Sequence, residues 1–153
     1  MWHTGSGYEI GFDQILIQIM KHTGDNGKVF IGCDSQIVKN KCIFSTVICL
    51  HGASGQRGGY YFFNRERLIA KEFPTVLMRL TKEVEKSIEM ASVISEIGQE
   101  IDIEIHIDAS SKEGEKSSKI ADMLIGYARG AGFKCRIKPE AWASNSVADK
   151  HSK

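Results

Sequence analysis

Between Lys28 and Phe63 the chain carries three apolar runs rich in β-branched and aromatic residues: KVFIGCDSQ at 28–36, KCIFSTVICL at 41–50 and the short YYFF at 60–63. Their connections are too short for crossover helices, so the three runs read as an antiparallel meander. The pattern then changes. Helical periodicity follows Pro74, placed where a first turn tolerates it, and runs to about Ile97 before Gly98. Ile101, Ile103, Ile105 and Ile107 next alternate with Asp102, Glu104, His106 and Asp108, the period of a strand. A second helix is expected from about Lys116 to Ala131, a fifth strand over Phe133–Lys138 and a short last helix over Ala143–His151. Ahead of the meander, Ile10, Ile15, Leu16, Ile19 and Met20 give a leading helix, about 9–22, stopped near Gly24 and Gly27. Apart from that helix the order is β-β-β-α-β-α-β-α. Three antiparallel strands followed by α/β alternation restrict the chain to a mixed sheet with helices packed on it.

At 153 residues the chain is expected to form one domain, 1–153, burying roughly two-thirds of its unfolded surface. Hydrophobic residues make up 42% and the net charge is +1, a balance that argues against intrinsic disorder. No apolar run approaches the ~20 residues of a membrane span. Met1–Ile10 lacks a basic start followed by an apolar core, so a cytoplasmic protein with no membrane partner is expected. Charge is unevenly spread: residues 112–153 carry nine Lys or Arg against five Asp or Glu, leaving eleven against fourteen for residues 1–111. That bias either steers a polyanion or belongs to an ordinary solvated surface. Cys33, Cys42, Cys49 and Cys135 form no CxxC pair and sit mostly in strand-like runs, so they read as buried reduced thiols.

Two acids follow apolar strands directly. Asp34 comes after Val29–Cys33 and Asp108 after Ile107, and each precedes small polar residues. Acids there are either turn-forming caps or the floor of a site at the carboxyl ends of the strands. Adjacent strands lie only ~5 Å apart, so two bare carboxylates would repel, and a divalent cation would resolve the conflict. On a helical wheel starting at Leu77, Glu83 falls at about 240°, inside the apolar arc, while Glu85 and Glu89 fall on the water side. An inward glutamate needs a partner. Asp149 lies in the C-terminal ASNSVADKH, two residues before His151.

In this order, Gly32-Cys33-Asp34-Ser35, Glu83, Ile107-Asp108-Ala109-Ser110 and Asn145-Ser-Val-Ala-Asp149 resemble the four acid positions of the ribonuclease H superfamily. More closely, GCDSQ at 32–36, E-V-x-K-S-I at 83–88, H-x-D at 106–108 and K-P…S-N-S-V-A-D-K-H at 138–151 are similar to the bacterial YkuK-type ribonuclease H-like family. The resemblance covers about residues 28–151. It implies an α/β ribonuclease H-like fold: a five-stranded mixed sheet of order 3-2-1-4-5 flanked by helices, with the leading helix added.

It also implies metal-dependent phosphodiester hydrolysis of nucleic acid. Asp34, Glu83, Asp108 and Asp149 would hold two Mg²⁺ or Mn²⁺ ions ~3.5–4 Å apart, with Asp34 bridging them. Oxygen ligands without a thiolate suit those ions better than zinc. His151, and less directly His106, are candidate proton shuttles, His106 having a structural reading as well. Lys112, Lys116, Lys119, Lys138 and Lys150 are candidate phosphate contacts or plain solvated lysines. The competing reading is a non-catalytic nucleic-acid or protein adaptor on the same fold. An actin-like phosphotransferase is set aside, since no Gly-rich phosphate loop follows Asp34.

Overall fold

A computed structural model describes residues 1–98, 100–109 and 115–153, with the backbone alone for residues 115–117. Short strands β1 (Trp2–Thr4) and β2 (Glu9–Ile10) open the chain, and helix α1 (Phe12–Gly24) follows. The meander is β3 (Lys28–Val38), β4 (Lys41–His51) and β5 (Tyr60–Ile69). After it come α2 (Val76–Ser95), β6 (Ile103–His106), α3 (Glu115–Gly130) and β7 (Lys134–Arg136). The C-terminal segment is π-helical over Ala143–Ala148 and α-helical over Asp149–Ser152, here α4.

Among the described residues the strands form one sheet of order β2-β1-β5-β4-β3-β6-β7. Its central part, β5-β4-β3-β6-β7, is the expected 3-2-1-4-5 order. β3 and β4 pair antiparallel along their whole length, from Lys28 opposite His51 to Val38 opposite Lys41, and β6 pairs parallel to both β3 and β7. The sheet therefore has seven strands where the sequence predicts five. β1 and β2 are three and two residues long, too short to show a period, and form because Trp2–Thr4 finds the edge of β5. β5 runs to Ile69, well past Phe63, because β4 offers it partners as far as Lys41. Its polar Asn64–Arg67 stretch hides that extension from a reading by hydrophobicity.

One sheet face packs under α1, α2 and α3 around Ile15, Ile19, Val29, Ile31, Ile48, Ile94, Ile105 and Leu124, all essentially inaccessible to water. Each such side chain contributes about 1.5–3 kcal/mol of transfer free energy. α2 begins at an N-cap, Thr75, whose Oγ1 accepts the Met78 N–H at 3.1 Å. Pro74 therefore precedes the cap and is not in the first turn.

The other face is covered by the C-terminal segment, with Val47, Cys49 and Phe63 packing on Ala143, Ala148 and Trp142. This changes the expected character of β6. His106, on the side that alternation marks as polar, is 1% exposed, tilted against Phe30 and edge-on to Trp142. Gly32 makes the close docking possible: a Cβ there would lie 2.6 Å from the Ser144 backbone nitrogen. Cys33, Cys42 and Cys49 are buried free thiols and Cys135 is half-buried. Among the described residues no helix is long and apolar enough to cross a membrane.

Candidate metal centre

Asp34 is not at the end of its strand, since β3 continues four residues further to Val38. What ends is its neighbour. The parallel ladder to β6 stops at Gly32 opposite His106, so beyond Gly32 that flank of β3 has no strand partner among the described residues. Asp34 lies just past that point. Ile107 keeps one bond to β7, its N–H donating to the Arg136 carbonyl at 2.8 Å, and the chain then leaves the sheet at Asp108. The two acids meet because one strand ends while the other goes on.

Glu83 arrives from α2. It is 4% exposed, as its place in the apolar arc predicts, and Glu89 on the opposite side is exposed. Its Oε2 accepts the Ser35 hydroxyl at 2.6 Å, whereas Oε1 is buried without a hydrogen-bond partner among the described residues. One carboxylate oxygen from each of Asp34, Glu83 and Asp108 lies within 4.8 Å of the other two. Asp149, from α4, lines the same cleft of about 470 Å³ at its more exposed edge.

The electrostatics follow from this crowding. Burial, then the neighbouring Asp108, raise the Asp34 carboxyl from 3.8 to about 7, and the Ser152 hydroxyl, donating to Oδ2 at 3.0 Å, opposes the rise. Burial pushes Glu83 well above the usual carboxylate range, Asp34 and Asp108 add to this, and Ser35 and Arg79 oppose it. Lys138 pairs with Asp108 at 2.8 Å and Lys153 with Asp149 at 3.1 Å. Carboxylates forced together, one with an oxygen left unsatisfied, form an all-oxygen donor set that fits a hard divalent cation. Cys33 contributes nothing to it; its Sγ accepts from Thr46 at 3.6 Å, and it packs with Phe44 and Phe73.

Neither candidate shuttle lines the cleft. The His106 Nδ1 accepts the Ala143 N–H at 3.0 Å, and burial lowers the ring from 6.5 to about 4, so it is a neutral anchor for the C-terminal segment. His151 stacks on Phe63 with centroids 3.7 Å apart and meets the Tyr61 hydroxyl at 2.9 Å, which ties α4 to β5. Of the lysines, Lys138 lines the cleft and Lys150 is exposed outside it. Lys112 and the side chain of Lys116 lie outside the described residues. Lys119 is described but does not line the cleft.

Three other polar residues of the cleft lie outside the acid motifs, Arg79, Ser152 and Lys153, whereas Gln36 closes the GCDSQ motif. Arg79 was within reach of sequence reasoning. It lies one turn before Glu83, at about 200° on the same wheel. Ser152 and Lys153 reach the cleft through the tertiary docking of α4.

The ribonuclease H-like family model matches residues 11–153. None of the curated proteins matches the chain. The match takes in α1 and every acid of the cleft, and with the sheet order it establishes that the chain belongs to the ribonuclease H-like family.

Proposed function

We propose that this chain hydrolyses phosphodiester bonds of nucleic acid with two Mg²⁺ or Mn²⁺ ions held by Asp34, Glu83, Asp108 and, at the cleft edge, Asp149. The observation that carries this reading is the convergence of three carboxylates within 4.8 Å at the flank of β3 beyond Gly32. Bound ions would polarise the phosphoryl group and acidify an attacking water. The chain's own residues prepare the site. Ser35 and Ser152 each hold one oxygen of Glu83 and Asp34, fixing how those carboxylates face the cleft. Lys138 and Lys153 bring positive charge to the cleft that a strand's phosphates enter.

One observation favours the adaptor reading: Lys138 and Lys153 already neutralise two of the acids. The test is cleavage of labelled single-stranded RNA, single-stranded DNA, RNA–DNA hybrid, duplex DNA and a four-way junction in Mn²⁺, Mg²⁺ or EDTA, with Asp34→Asn as control. Metal-dependent cleavage lost in the variant is expected. Silence on every substrate while metal still binds would replace this reading with the adaptor, and failure to bind metal would remove the centre itself.

A further inference from the structure

We propose that Arg79, with the apolar ledge of Val76, Leu80 and Ile120, seats the phosphate and nucleoside adjoining the bond to be cut, so that the cleft takes a strand and not an isolated phosphate. The inference rests on the nuclease reading above. Arg79 lines the same cleft as Asp34, Glu83 and Asp108, yet its Nε is buried with no hydrogen-bond partner among the described residues. Lys138 and Lys153, the other cleft cations, each pair directly with an acid, whereas Arg79 makes no ion pair within 4.0 Å among the described residues and acts on Glu83 only through space. A buried cationic N–H without an acceptor is costly to maintain. A phosphate oxygen would satisfy it in both hydrogen bonding and charge, and the guanidinium fork suits that geometry.

The ledge points the same way. Val76 and Leu80 stand one turn apart on α2, and Ile120 reaches the cleft from α3. Val76 is 60% exposed, so it is not there to fill the core. Apolar side chains beside a phosphate-seeking guanidinium match the alternation of charge and flat apolar surface along a nucleic-acid strand. Gln36, whose Oε1 is also buried and unpartnered in this cleft, adds an amide for the same strand.

The test compares Asp34→Asn with Asp34→Asn/Arg79→Gln, both unable to turn substrate over, binding a fluorescent single-stranded oligonucleotide in Mg²⁺ across a salt series. Removing one phosphate contact is expected to weaken binding on the order of 10-fold. It should also make the slope of log K against log salt shallower by about 0.7. In the otherwise wild-type chain, Arg79→Gln should leave calorimetric Mn²⁺ affinity unchanged or tighter, since a positive charge has left the surroundings of Glu83. An unchanged affinity and slope would overturn the assignment. So would weaker Mn²⁺ binding with an unchanged slope, which would make Arg79 a support for Glu83. If neither the wild-type chain nor Asp34→Asn binds any strand, the nuclease reading falls and this seat with it.

Discussion

Replacing Asp34 by asparagine should stabilise the metal-free protein, and the gain should depend on pH. In the folded chain Asp34 is 7% exposed and its carboxyl is raised from 3.8 to about 7. That is roughly a thousandfold increase in proton affinity, or about 4 kcal/mol at about 1.4 kcal/mol per tenfold. The sign follows from proton linkage. Between pH 3.8 and about 7 the unfolded chain has released this proton while the folded chain keeps it, so stability falls as pH rises through that window. Above pH 7 the folded chain carries the full cost of an ionised Asp34 among Glu83, Asp108 and Asp149. Asparagine keeps the shape and an acceptor for Ser152 but holds no charge, so Asp34→Asn recovers at most about 4 kcal/mol at pH 8 and almost nothing near pH 4. A realised gain of about 2 kcal/mol corresponds to a Tm rise of roughly 4–8 °C for a chain of this size. The assay is thermal unfolding of both proteins in EDTA from pH 4 to pH 8, repeated with Mn²⁺. Wild-type Tm should climb with Mn²⁺ concentration, because the ion binds only the folded site, and Asp34→Asn should respond weakly. A variant less stable than wild type at pH 8 in EDTA, or one with an equal Mn²⁺ response, would refute the reasoning.

Two further substitutions probe how the site is held. Ser152→Ala removes the hydroxyl that orients the Asp34 Oδ2 and should weaken Mn²⁺ binding about 10-fold or more by calorimetry, with the fold retained; unchanged affinity would show that α4 contributes only Asp149. Gly32→Ala places a methyl group 2.6 Å from the Ser144 nitrogen, a backbone atom that cannot turn aside. It should cost about 1–3 kcal/mol in urea unfolding and lower Mn²⁺ affinity by displacing α4, whereas a neutral effect on both would mean the C-terminal segment docks elsewhere.

Much of this site is legible residue by residue. The β-branched runs at 28–36 and 41–50 and the isoleucine alternation at 101–107 predict β3, β4 and β6, and the wheel of α2 turns Glu83 inward. The misreadings share one cause, which is that a period describes a segment and not its neighbours. Asp34 reads as a strand end from its own residues, but its exposure to the cleft comes from β6 stopping at His106. His106 reads as polar-facing, but the C-terminal segment buries it. β5 reads as ending at Phe63 because its later residues are polar, and only pairing with β4 carries it to Ile69.

The sequence by itself determined the element order, the core face of each helix and the acids able to approach one another, because these follow from local periodicity and side-chain chemistry. Only the tertiary structure decided that Ser35 and Ser152 hold the carboxylates, that His151 ties α4 to β5, and that the Arg79 Nε stands buried in the cleft without a hydrogen-bond partner among the described residues. Those outcomes depend on distances between segments up to 118 residues apart in the chain, which no local period encodes.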